Sequence, residues 1–505
     1  MKKLFNFCLA TFAMVSAMSC NNDDDMNPMS EEPVTAGPNQ LTYGLTENNE
    51  LVVFNANSPT SFSSKTAIAG IATGEKLLSI DFRPATGELY ALSNASKFYI
   101  INTATATSRP VSTTAFTPAI SGAIASIDFN PTVDRIRLVT NTGQNLRLNP
   151  ETGGVAATDG SIATTSSITG IAYTNSKSGA TSTTLYDLDV TSGKLFKQDP
   201  PNDGKLAEVG NLGFTFTGQA AFDINPDNSV ALVAITRDSK EHLYTLDLSN
   251  GKTTNIGKLP QKVIDLAIPT DAVAYAVDAS NTLQIFNPNR PEPVSKAITG
   301  LQNGEGILGI DFRPLNGQLY ALGSTSRIYT INLGTGAATQ VGSGALSTPL
   351  VGTEFGFDFN PTVDRIRVVS DLGQNLRLNP IDGSVSSVDG VINPGTPTLS
   401  SAAYTDNFAG ATTTSLFVID HNTDKLYLQN PPNAGTLVER GALGINITSN
   451  NGFDIGSTSQ KAYLVATVGT DTKIYTVNIA NGAATAVSNY PNMGSIPKLG
   501  EKDKN

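Results

Sequence analysis

The sequence predicts an all-β protein, a β-propeller built as two tandem five-bladed rings, with one ten-bladed ring as the alternative. Three observations predict it. Long segments recur at a spacing of 230 to 232 residues. Within each half a looser unit of roughly 45 residues repeats, the length of a four-stranded propeller blade. Inside that unit apolar and polar residues alternate, with β-branched side chains and Gly/Asn turns, as strands joined by tight hairpins require.

Taken from the N-terminus, the first element is a secretory signal. Lys2 and Lys3 precede a short apolar run from Leu4 to Ala17 that ends in small residues, too short for a comfortable membrane span. The tetrad Ala17-Met18-Ser19-Cys20 resembles a bacterial lipobox, with Ala17 where Leu is commoner, so residues 1–20 are expected to be a lipoprotein signal peptide and Cys20 the lipidated residue. The alternative is an ordinary signal peptide that happens to contain Cys20. The other cysteine, Cys8, leaves with the signal, and no disulfide is expected in the mature chain. Residues 21–38 read as a flexible acidic tether. Asp23, Asp24 and Asp25 resemble the signal that sends lipoproteins to the cell surface, which predicts an outer-membrane lipoprotein exposed outside. Retention on the periplasmic face is the alternative.

The first propeller copy is expected over 39–269 and the second over 270–498, with a charged tail at 499–505. SIDFRPATGELYALSNASKFYIIN from Ser79 returns as GIDFRPLNGQLYALGSTSRIYTIN from Gly309, and LFKQDPPNDG from Leu195 as LYLQNPPNAG from Leu426. Five units per half centre on Tyr43, Tyr90, Arg137, Tyr186 and Tyr244, then on Tyr275, Tyr320, Arg367, Phe417 and Tyr475. Two apolar segments could close separate rings: VIDLAIP from Val263 and the weaker MGSIP from Met493. In a single ten-bladed ring VIDLAIP would instead form a hairpin with AVAYAVD, and the six-residue gap from Pro269 to Tyr275 matches that from Pro84 to Tyr90.

These motifs, with FDFNPTVDRIRVVSDLGQNLRLNP and GATTTSLFVID, make the chain resemble a bacterial family known as domain of unknown function 4394, in two copies from about Leu41 to Pro497. The resemblance implies an exported propeller-like domain and brings no catalytic residues with it.

The candidate site is the hairpin NPTVDRIRLVTNTGQNLRLNP at Asn130, repeated as NPTVDRIRVVSDLGQNLRLNP at Asn360. Arg137 and Arg367 fall where neighbouring blades place an aromatic ring. A desolvated guanidinium there needs a partner, and Asp134, Asp128, Asp364 and Asp358 are the nearby candidates. Such a pair would lock blade register. The functional reading is an oxyanion-binding site formed by Arg135, Arg137 and Arg147 and by Arg365, Arg367 and Arg377. The aspartates Asp81, Asp128, Asp223, Asp265, Asp311, Asp358 and Asp454 each open an apolar strand. They are expected to accept backbone N–H groups within their own blades, with a cation site in the channel as the alternative.

Other chemistry finds little material. His242 and His421, the only histidines, have no partner at metal-ligand spacing, and no hydrolase motif is present. No metal or cofactor is therefore expected. The net charge of −11 comes without a basic cluster, which argues against nucleic acid as a partner. The expected role is a binding or scaffolding module for a glycan or an envelope protein, attached to the membrane by the N-terminal lipid. A carboxylate-dependent glycan hydrolase or lyase in the channel is the alternative. Close carboxylates in one channel would favour that alternative, and an apolar plug would exclude it.

Overall fold

A computed structural model describes residues 32–163, 165–457, 459–490 and, for the backbone, 498–502. The expected signal peptide, Cys20 and most of the tether lie outside these residues, as does the segment 493–497. Among the described residues the fold is all-β: ten four-stranded antiparallel sheets, with helical geometry only in the short 3-10 turns Pro201–Asp203 and Pro432–Ala434. No helix among them is long and apolar enough to cross a membrane.

Eight sheets are meanders of four consecutive strands, and in them burial falls from the inner strand to the outer. In the second sheet, all of Leu89–Ser93 is buried, whereas Ser108–Pro110 at the outer edge is half-exposed or exposed. The inner strands are covered on both faces by neighbouring sheets and so read as apolar runs. The outer strands are covered less and carry polar residues. Apolar clusters fill the gaps between sheets: Tyr90, Leu92 and Phe98 of one pack with Ile127, Phe129 and Leu138 of the next.

The sheets fall into two cyclic sets of five. In the first half the innermost strands pack in the closed order Leu77–Phe82, Ala125–Asn130, Ile168–Tyr173, Ala221–Ile224 and Val263–Ala267, which returns to Leu77–Phe82. In the second half the order is Ile307–Arg313, Phe355–Asn360, Leu399–Tyr404, Asn451–Ile455 and Lys498–Lys502. Val263–Ala267 pairs with Leu41–Thr46, so the last strand of the first half completes that half's first sheet. The hairpin with AVAYAVD is not formed: Val273–Val277 lies between Thr282–Asn287 and Lys498–Lys502.

Two expectations about element placement are corrected. The strand that pairs with Val273–Val277 is Lys498–Lys502, within the segment read as the end of the second copy and a charged tail. The open edge of Val273–Val277 supplies the hydrogen-bonding ladder, and such a ladder tolerates a polar sequence. Tyr244 and Tyr475 do not occupy the slot of Tyr90. They lie on the third strands of their sheets, and the residues opposite the channel aspartates there are Leu232 and Tyr463.

Candidate functional site

The register places Arg137 opposite Asp128, as Tyr90 lies opposite Asp81, and Arg367 opposite Asp358. Strand alternation turns both guanidiniums into the gap between the third and fourth sheets of their rings, where they are buried. Arg137 donates to Asp159 Oδ2 at 2.6 Å, Asn145 Oδ1 at 2.7 Å, Asn202 Oδ1 at 2.7 Å and the Tyr173 hydroxyl at 3.3 Å. Arg367 repeats the set with Asp389, Asn375, Asn433 and Tyr404. Asn202 and Asn433 come from the next sheet, so each network ties two blades together.

The partners expected from the sequence are therefore corrected. Asp134 pairs with the buried Arg83, and Asp364 with Arg313, each through both carboxylate oxygens. Asp128 and Asp358 accept the backbone N–H of Tyr173 and Tyr404. The carboxylates that meet Arg137 and Arg367, Asp159 and Asp389, lie on the turn after the fourth strand. Sequence reasoning missed them, although each stands 22 residues beyond its arginine in both copies.

Arg147 and Arg377, about one-third exposed, grip the same aspartates through paired hydrogen bonds. Burial opposes ionisation of Asp159, but the guanidiniums of Arg147 and Arg137 hold its carboxyl below the usual range. Arg135 and Arg365 each donate to the carbonyl of the preceding aspartate. The structure thus brings Arg137 and Arg147 together, and Arg367 and Arg377, around one shared carboxylate in each ring. That carboxylate already fills the position an external oxyanion would take.

The channel aspartates sit at the middle or towards the ends of the innermost strands, not at their starts, and most reach across to the next blade. Asp81 accepts N–H groups from Phe82 and Phe129, Asp223 from Ile224 and Ile268, and Asp311 from Phe312 and Phe359. Asp265 accepts from Leu266 and Ile80 and from the Ser79 hydroxyl. Each strand's pleat aims its aspartate at the axis, and the neighbouring blade offers an N–H there. In the fourth sheets Ala172 and Ala403 take this position, opposite Tyr186 and Phe417.

Oxygens of Asp81, Asp128 and Asp223 lie within 4.8 Å of one another, and so do those of Asp311, Asp358 and Asp454. Such oxygen clusters have the chemistry of a hard-cation site, but several of these oxygens are already occupied by backbone N–H groups. Burial pushes Asp223 up to about 8 and Asp265 up to about 7. Burial and then neighbouring carboxylates hold Asp81, Asp128 and Asp358 well above their usual range. The neighbouring Asp454 carboxylate adds to the rise of Asp358.

The open concave surfaces lie elsewhere. A cleft of about 430 Å³ between the two rings is lined by Tyr43, Phe82, Thr103 and Arg109 of the first and Pro314 and Phe408 of the second. Another, of about 420 Å³, lies in the second ring beside Tyr404, Thr413 and Gln429. Neither uses the channel aspartates.

A sequence profile described as a domain of unknown function, number 4394, matches the chain twice, over residues 50–267 and 282–500. No curated protein matches it. Among solved structures, the chain is similar to PorZ, an essential bacterial surface component of the type-IX secretion system of Porphyromonas gingivalis. The identity is 12% and the TM-score 0.24, and the match covers 92% of this chain and 60% of that one. It is also similar to the propeller of Dos1, at 14% identity and a TM-score of 0.26, covering 63% of this chain and 82% of that one.

Proposed function

Because the chain belongs, as two tandem copies, to the domain of unknown function 4394 family, whose description assigns no chemistry, we propose that it is a lipid-anchored envelope protein whose rings bind a glycan or another envelope protein. One observation carries this reading: the charged groups that could do chemistry are used internally, while the concave surface left open is polar and aromatic. The arginines share buried carboxylates, and the channel aspartates bond to backbone N–H groups of adjacent blades. Loops from every blade converge on the faces of such rings, which suits recognition. The anchor rests on Lys2, Lys3 and the tetrad ending at Cys20, and the acidic run Asp23 to Asp25 supports display at the cell surface.

A carboxylate-dependent hydrolase or lyase is the second reading, favoured by the three close carboxylates in each channel. Their burial weighs against it, since a substrate bond must reach the acid and the base. The test is a thermal-shift screen of the purified full-length protein against neutral and acidic glycans, calcium and chelator, paired with crosslinking on intact cells. A ligand that binds only the folded state raises the melting temperature by mass action. A shift with one glycan class, or one reproducible crosslinked envelope partner, is expected. Turnover of any glycan in the panel would replace this reading by the second. Fatty-acid labelling that survives Cys20→Ser would remove the anchor.

A further inference from the structure

The two rings meet through the same positions twice, with the rings exchanged, and the two meetings end differently. In one, Tyr275 of the second ring is fully buried against the first. Its hydroxyl donates to Ala85 O at 2.9 Å and accepts from Ser178 Oγ at 2.7 Å. Leu333 and Ala85 join Tyr275 and Phe312 in one apolar cluster, and this meeting is closed.

In the other, Tyr43 stands for Tyr275, Phe82 for Phe312, Thr103 for Leu333, Leu315 for Ala85 and Ala409 for Ser178. Each of the last three changes works against closure. Thr103 removes the apolar surface that Leu333 buries. Ala409 lacks the hydroxyl that Ser178 gives to the tyrosine, and the Tyr43 phenol bonds to Thr103 of its own ring. Leu315 is bulkier than Ala85 and stays half exposed. The rings remain pinned at the rim, where Arg109 donates to Leu315 O at 2.6 Å. What is left between them is the cleft of about 430 Å³, within the size range of small-ligand sites.

We propose that this cleft is a binding site for a neutral oligosaccharide. This deepens the binding function proposed above and rests on it. The floor is formed by the buried Tyr43, Phe82 and Pro314, Phe408 stands exposed at the mouth, and hydroxyl and amide groups of Thr103 and Asn102 lie between them. Sugar rings present the same mixture, C–H faces bordered by hydroxyls. Phe408 is 39% exposed at the mouth, an aromatic surface that a sugar face would cover. The charged side chains of the lining, Glu88 and Arg109, pair with each other at 3.0 Å, so the site has no net charge to match. An acidic glycan would meet a guanidinium already neutralised.

The protein supplies its own control, because the closed meeting shows what fills the space. Calorimetric titration of the full-length protein in detergent would use neutral oligosaccharides of glucose, mannose and N-acetylglucosamine, an acidic oligosaccharide and a proline-rich peptide. The expected result is binding of one neutral class, weakened at least about tenfold, or 1.4 kcal/mol, in Thr103→Leu/Ala409→Ser, with the melting temperature kept or raised. Phe408→Ala, at an exposed position, should weaken the same ligand and serves as the readout if the double variant folds poorly. Neutral-sugar binding unchanged in both variants would overturn the cleft while leaving glycan recognition by another surface intact. Preference for the acidic glycan or the peptide, or no neutral binding at all, would also overturn it. Capture of an envelope protein by crosslinking in that last case would leave the broader binding function standing.

Discussion

Arg137 and Arg367 show how a charge can take a packing position. Each replaces the aromatic ring of sister blades and is held by a carboxylate and two asparagine side chains. Removing a buried guanidinium leaves Asp159 or Asp389 with Arg147 or Arg377 alone and the buried asparagines short of a donor. Arg137→Ala with Arg367→Ala should therefore lower stability by about 1–3 kcal/mol per site, the cost of leaving buried polar groups unsatisfied, read from the denaturant midpoint. A loss below about 1 kcal/mol in total would show that the networks are not locks.

Asp187 is the opposite case. Among the described residues neither of its carboxylate oxygens has a hydrogen-bond partner, and it is fully buried. Burial pushes its carboxyl well above the usual range, against the pull of Arg137. The second ring carries Val418 at this position. Asp187→Val should stabilise the protein by about 1–3 kcal/mol, the cost of an unsatisfied buried polar group. The sign with pH follows from the raised value. The stability the protonated form contributes is full below the unfolded carboxyl value near 3.9 and is lost as pH rises through the folded value. The gain from the valine should therefore be larger at about pH 8 than at about pH 4, measured by melting at both. An equal gain at both would show that Asp187 keeps its ordinary value.

At the scale of elements, the strands were legible where side chains alone dictate them. The runs around Tyr90 and Tyr320 are apolar because neighbouring sheets cover both faces, and Arg137 falls in the Tyr90 slot as the repeat alignment predicts. Val263–Ala267 announces itself by the same apolarity. Lys498–Lys502 does not, because what defines it is the unpaired edge of Val273–Val277, some 220 residues earlier in the chain. A blade's centre was misplaced at Tyr244 because a third strand can be as aromatic as a second. Deleting residues 498–502 should open the second ring alone. Calorimetry is expected to show a second-ring transition at lower temperature beside an unmoved first-ring transition. A single shifted transition would mean that the rings melt as one unit.

At the scale of the molecule, the duplication is plain in the letters, and the joint between the copies is not. Asp159 reaches Arg137 from a turn, and the inter-ring cleft depends on single differences such as Thr103 for Leu333. Neither is marked by periodicity, since each is decided by which loops the rings bring together. The candidate arginines were found as residues, but their carboxylate partners, Asp159 and Asp389, lie beyond the hairpin that carries them.

Closure by Val263–Ala267 also sets an order of assembly. The first ring needs nothing beyond residue 268, so a chain made from its N-terminus can complete that ring while the second half is still being synthesised. The second ring must wait for residues 498–502. It then forms against a finished neighbour, which presents Ala85 and Ser178 as a ready surface for Tyr275 to dock on.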